Sequence, residues 1–184
     1  LGRIDDAFNY LKKLQTLSPD FPGLNSKLGM IRLEQGKTDE AIAYCKAELE
    51  TAPGNHFPYA CLAKALAVQG KSEKAQTYFN TALELGPDSA FVRLSYALYQ
   101  IEQKRYDEAL IHGREALRIN PANSEAHNAI GSIMLSRGDL VQARHHISEA
   151  LRLQPGYDAA RENLQRLQTG FGSAGTDQLR SRDM

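Results

Sequence analysis

Five prolines, Pro19, Pro53, Pro87, Pro121 and Pro155, stand 34 residues apart, and that spacing constrains the fold more than any other feature of the chain. Each ends an apolar-periodic stretch, as in "ALELGP", "ALRINP" and "ALRLQP". Proline lacks the N–H that a helix needs and forces its predecessor out of the α region, so each one stops a helix. Twelve residues before each proline stands an alanine: Ala7, Ala41, Ala75, Ala109 and Ala143. A short turn precedes each alanine, and Gly2, Gly36, Gly70 and Gly138 supply the positive φ that a helix end takes up. Lys104 replaces glycine in the fourth copy, which predicts a strained or differently built turn. A second amphipathic segment lies between each proline and the next turn, marked by Gly29, Ala63, Ala97 or Gly131. A small residue there lets two helix backbones approach closely. No stretch alternates with period two for long enough to argue a strand. The unit is therefore helix A, tight turn, helix B and a Pro-terminated connection. Such a unit cannot bury its apolar face alone and must stack on its neighbours.

A 34-residue helix–turn–helix of this pattern resembles the tetratricopeptide repeat (TPR) family. The stretch "YACLAKALAVQGKSEKAQTYFNTALELGP" (59–87) carries the pattern almost complete. Other copies depart from it. The early aromatic of helix A is present as Tyr59, while Asn25, Arg93 and His127 stand at its equivalents. Glu48 takes the place of Ala82, Ala116 and Ala150, and Gly113 takes the place of Phe79. The resemblance implies an all-α fold, a right-handed superhelical solenoid of antiparallel helix pairs. Four whole repeats are expected at 22–55, 56–89, 90–123 and 124–157. They follow a half repeat at 1–21 that carries helix B alone.

Residues 158–168, "DAARENLQRLQ", are expected to form a capping helix, with Ala160, Leu164 and Leu167 on one side and polar residues on the other. The remainder, 169–184, gains Gly and Ser and is expected as a flexible tail. Phe171 in that tail is a candidate occupant of the groove. At the other end, Ile4, Phe8 and Leu11 are expected to present an uncovered apolar stripe. That stripe suggests either an upstream helix A in a longer chain or self-association through the N-terminal helix.

The chain's 22 basic and 22 acidic residues balance to zero net charge, which argues against nucleic acid as the ligand. Apolar runs fall far short of a bilayer span. Two cysteines, Cys45 and Cys61, are too few for a disulfide framework and are expected as reduced thiols in small apolar positions. The sequence also lacks a G-x-S-x-G elbow, a P-loop and an H-E-x-x-H pair, so no enzyme and no cofactor is expected. Gly170, Gly172 and Gly175 spell G-x-G-x-x-G, but a helix precedes them where the dinucleotide fingerprint needs a strand. His145 and His146 point about 100° apart on one helix, with His112 near the equivalent place a repeat earlier, and are expected as solvated rather than metal-ligating. His56 and His127 lie on helix A segments without a carboxylate or cysteine partner.

The family resemblance implies that ligands lie along the A helices. Carried onto this chain, it gives Met30, Leu33, Phe57, Ala60, Lys64, Phe91, Leu94, Leu98, Ile101, Glu102, Glu125 and Asn128 as groove residues. The Lys/Asn/Arg set that clamps a terminal carboxylate in chaperone-binding members is missing, with Ser26, Met30, Cys61, Phe91 and Ser95 at those places. An apolar strip rimmed by charge suits an amphipathic helix or an extended peptide of a protein partner. The expected function is a non-catalytic interaction scaffold. The alternative is a TPR accessory region of a larger enzyme, such as a glycosyltransferase or a sulfatase, that positions its substrate.

Overall fold

The computed structural model describes residues 2–19 and 21–180, and their side chains within 4–19 and 21–169. All regular structure among the described residues is helical. The helices are α1 (Gly2–Leu17), α2 (Leu24–Glu34), α3 (Thr38–Thr51), α4 (His56–Val68), α5 (Ser72–Leu85), α6 (Ala90–Glu102), α7 (Tyr106–Ile119), α8 (Ser124–Ser136), α9 (Leu140–Leu153) and α10 (Asp158–Arg180). The A and B helices of each expected repeat are thus consecutive elements, from α2/α3 to α8/α9. Helix α10 continues to Arg180, so residues 169–180 are helical where their Gly and Ser content predicts a flexible tail. The expectations for the side chain of Phe171 and for residues 181–184 lie outside the described residues.

The turn between helices A and B is built the same way in all four full repeats, whereas Gly2, expected in the equivalent turn of the half repeat, is the first residue of α1. Gly36, Gly70 and Gly138 take φ of 73°, 73° and 76°, and Lys104 is held at 59° in the same left-handed region. The residue after each donates its N–H to a carbonyl of helix A: Lys37 to Arg32 O, Lys71 to Leu66 O, Arg105 to Gln100 O and Asp139 to Met134 O, at 2.8–3.0 Å. This bond closes the exposed carbonyls of helix A and turns the chain into helix B.

Two departures at the early aromatic position, Arg93 and His127, share the job of Tyr59, as does Arg161 of α10, whereas Asn25 Oδ1 accepts from Gln15 Nε2 at 2.6 Å. Tyr59 Oη donates to Pro53 O at 3.1 Å, Arg93 Nη2 to Pro87 O at 3.0 Å, His127 Nε2 to Pro121 O at 3.2 Å and Arg161 Nη2 to Pro155 O at 2.7 Å. A proline carbonyl at a helix end needs a donor, and four residues of three chemistries supply it.

The chain divides into two compact units, Leu1–Tyr96 and Ala97–Met184. In the first unit, Phe8 of α1 packs on Leu24 and Leu28 of α2, under the guanidinium of Arg32, whose Cζ lies 3.5 Å from the ring centroid. The stripe expected to be uncovered is therefore largely covered: Phe8 is buried, and Ile4 and Leu11 are half-buried. What α1 exposes instead is Tyr10 and Leu17.

Helices α3 and α4 meet through Cys45 and Cys61, which are joined as a disulfide with Cα atoms 6.2 Å apart. This corrects the expectation of free thiols. Two small side chains sixteen residues apart on different helices face each other, and Gly29 of α2 lies against both. A methyl group on Gly29 would sit 2.5 Å from Cys45 Sγ and 2.9 Å from Cys61 Sγ, so glycine is required there.

The first full repeat also solves its N-terminal problem in its own way. Helices α4 and α8 are capped by Asn55, whose Oδ1 accepts from Phe57 N, and Asn123, whose Oδ1 accepts from Ala126 N. Helix α2 starts at Gly23, which has no side chain to cap with. Glu48, buried on α3, reaches across and accepts from Gly23 N at 2.6 Å and Asn25 N at 3.0 Å. Its carboxylate both satisfies two orphan donors and meets the positive end of the helix dipole.

In the second unit, Ile130, Ile133 and Met134 of α8 form one core with Ala109 and Leu110 of α7, Ala143 and Ile147 of α9, and Leu167 of α10. The Phe79/Tyr96 pair of the first unit stacks with centroids 4.9 Å apart. Its counterpart one repeat later is Gly113 against Ile130, where a Cβ on Gly113 would lie 3.2 Å from Ile130 Cγ1. Gly113 thus makes room for a neighbour, at a cost of about 0.5–1 kcal/mol in helix propensity.

Candidate functional site

The A helices of the first unit frame a cavity of about 700 Å³. Met30, Ile31, Phe57, Phe91 and Leu11 supply its apolar surface, and Lys27, Glu34 and Asn55 add polar groups to the lining. Phe57 and Phe91 occupy the same place in successive repeats, and their rings lie 5.4 Å apart between centroids. The His56 ring sits 4.3 Å from Phe57, and burial pushes its pKa below the ordinary value. Phe57 remains 39% exposed, unusual for a phenylalanine in a packed helix array. Ser26, also in the lining, keeps a buried hydroxyl without a hydrogen-bond partner.

The structure brings together only part of the expected groove. Met30, Phe57 and Phe91 line the cavity, while Lys64 is half-buried outside the lining. Ala60 and Leu94 were expected to meet a ligand but are 0% and 5% exposed. Ala60 is consumed by packing against Ala82 and Val92, because helix A turns that side toward the next helix. Leu33 packs on the Cys45–Cys61–Leu62 cluster, which Met30 also touches. Leu11, Pro22, Ile31 and Asn55 line the cavity but are not among the expected groove residues. Leu11 belongs to α1, and Pro22 and Asn55 to connections, so a list built on helix A positions misses them.

In the second unit, Glu102 and Glu125 stand away from the core, Leu98 is half-buried, and Ile101 packs against the core. Asn128 is 8% exposed, and its Oδ1 accepts from Asn163 Nδ2 of α10 at 2.9 Å. The terminal helix thus engages the Asn128 side chain and buries it. Tyr157 beside it has its pKa raised by burial and by the charge of Glu125, with the Asn128 hydrogen bond opposing.

The second unit also brings together two histidines that the repeat register does not relate. His127 Nδ1 and His146 Nδ1 lie 3.1 Å from each other across the α8–α9 contact. Burial, then the charges of His127, His145 and Arg114, push the His146 pKa down to about 4, against the raising effect of Glu149. Glu149 itself is held low chiefly by its hydrogen bond from Arg152. Among the described residues, no group of three or more His, Cys, Asp or Glu is placed to hold a metal ion, and no helix is long and apolar enough to cross a membrane.

The helix pairs, the 34-residue register and the shared turn define a helical repeat protein. The chain belongs to the tetratricopeptide repeat family, whose models match residues 1–56 and 62–124, and 100–169. No curated protein matches it in sequence. Solved structures share the fold. TTC0263, a thermophilic TPR protein in Thermus thermophilus, is 22% identical with a TM-score of 0.77, over 91% of this chain and 92% of that one. YrrB, described as a TPR protein with an unusual peptide-binding site, is 17% identical with a TM-score of 0.60, over 89% and 84%. A monomeric IFIT1 mutant, solved with a capped oligonucleotide, is 17% identical with a TM-score of 0.80, over 94% of this chain and 44% of that one.

Proposed function

We propose that this chain is a non-catalytic protein-interaction module that holds a partner segment in the cavity of its first unit. Membership of the TPR family supports an interaction role in general. The observation that carries the finer reading is the half-open Phe57–Phe91 pair with Met30 in a cavity of about 700 Å³. A concavity floored by aromatic and flexible apolar side chains takes one large apolar side chain of a peptide. Lys27 and Glu34 in the lining offer one charge of each sign, so no strongly acidic or basic segment is selected. The unsatisfied Ser26 hydroxyl is one polar atom for the segment's backbone to meet. YrrB, a TPR protein with a peptide-binding site, provides a precedent on this fold.

The test is selection from a displayed peptide library, comparing the parent with Phe57→Glu. Phe57 is exposed enough that the substitution should leave helicity unchanged by circular dichroism. Peptides selected by the parent should carry a large apolar residue. They should lose about 2 kcal/mol of binding, roughly thirtyfold, on the variant. Equal affinity for both proteins would remove the cavity from the interaction.

A further inference from the structure

The strongest unassigned constellation is His127 and His146. At the equivalent places one repeat away on either side, Arg93 and Arg161 donate to a proline carbonyl, as Tyr59 does two repeats earlier. His127 fills that same donor role from Nε2, toward Pro121 O at 3.2 Å. An imidazole that donates from Nε2 and is neutral presents a lone pair at Nδ1. The His127 lone pair faces His146 Nδ1 at 3.1 Å, and the two rings approach with centroids 5.3 Å apart and an interplanar angle of 39°.

We propose that His127 and His146 form a two-histidine site for a nitrogen-preferring divalent transition metal, bound through both Nδ1 atoms and completed by water. Metal–imidazole bonds of about 2.0–2.1 Å place two ligand nitrogens about 2.8–3.4 Å apart for right-angle to tetrahedral coordination, and the observed separation falls within that range. The Pro121 carbonyl is the outer partner that fixes tautomer and ring orientation in metal-bound histidines. On binding, the proton that His146 Nδ1 now donates to His127 moves to His146 Nε2, so both rings stay neutral. Glu149, three residues along α9, is engaged by Arg152 at 2.9 Å, which leaves water for the other positions. Zn²⁺, Ni²⁺ and Cu²⁺ all accept such donors. The site clamps helix A of the last full repeat to its helix B.

The experiment is calorimetric titration of Ni²⁺ into the chelator-washed chain, free of any polyhistidine tag. His127→Tyr is the discriminating variant, because Tyr59 shows that a tyrosine at this place donates to the proline carbonyl and keeps the fold. His146→Gln is the second, His145→Gln the control, and circular dichroism checks each. Loss of an outer-shell partner alone weakens metal sites about 10–100-fold. Loss of a ligand should therefore cost at least about tenfold in His127→Tyr and His146→Gln, with His145→Gln like the parent. Parent binding should also raise its midpoint of thermal unfolding, and neither ligand variant should show that rise. Binding that survives His127→Tyr with unchanged affinity would overturn the proposal. So would a parent that binds no Ni²⁺, which would leave the pair as a hydrogen bond between helices.

Discussion

Replacing Glu48 by alanine tests whether one buried carboxylate stands in for a missing helix cap. Alanine already occupies this place as Ala82, Ala116 and Ala150, so the backbone accepts it and no steric term intervenes. What disappears is an acceptor for Gly23 N and Asn25 N, at 2.6 and 3.0 Å. Hydrogen bonds to a charged group contribute about 1.5–3 kcal/mol each. A concavity bounded by Pro22, Asn25 and Glu48 adjoins these donors, so water can recover part of the loss. The net cost should be about 2–3 kcal/mol. For a chain of this length that lowers the thermal midpoint by about 4–12 °C. Glu48→Gln keeps one carbonyl oxygen but turns an amide N–H toward the second donor, so it should lose roughly half as much. The assay is thermal unfolding followed by circular dichroism at neutral pH, with a urea series to confirm the order parent, Gln, Ala. An alanine variant within about 1 °C of the parent would refute the reasoning, since α2 would then need no acceptor from α3.

Four further outcomes follow from the geometry. Lys104→Gly relieves a left-handed residue at φ 59° and should stabilise the protein by about 0.5–1 kcal/mol, read as a higher urea midpoint; no gain would mean the turn carries no strain. Gly131→Ala places a Cβ 2.8 Å from Ile147 Cγ1 and 3.3 Å from Ile147 N, so it should destabilise by about 1–3 kcal/mol despite alanine's better helix propensity, and an unchanged urea midpoint would show that α8 and α9 can move apart. Non-reducing mass spectrometry after alkylation of the unfolded chain should leave Cys45 and Cys61 unlabelled, and labelling of both would show the thiols are free. His56 has its folded pKa lowered by burial, so its contribution to stability is fully present above the unfolded value of 6.5 and fades as pH falls below it. His56→Gln should flatten that part of the pH–stability curve, and an unchanged slope would assign it to other groups.

The match between sequence and structure divides by the range of the interaction. The helix ends were legible because each is a local event: a proline that cannot continue a helix, a glycine that takes positive φ, and an alanine at fixed register. Even the odd copy obeyed the rule, since Lys104 adopts the glycine conformation and closes the same hydrogen bond. Gly29 and Gly131 announced close helix approach, and a Cβ on either would collide with a neighbouring helix. Departures from the pattern were visible as departures, but not as functions. Glu48 is visible in the sequence as a departure from alanine, and its use follows only from the missing side-chain cap of α2.

The candidate groove was legible in register and only partly in exposure. Helix A turns one side outward and an adjoining side to the next helix, and a small rotation decides which residues are which. Phe57 stayed open while Ala60, three residues on, was sealed by Val92 and Ala82. Asn128 is engaged by Asn163, 35 residues away. The sequence by itself determined the helices, their pairing and the repeat, because those depend on backbone preferences and spacings within one unit. Only the tertiary structure decided that Cys45 meets Cys61, that Glu48 caps α2, and that His127 faces His146. Those meetings depend on how side chains from different helices are aimed at one another, and no periodicity in the chain records that.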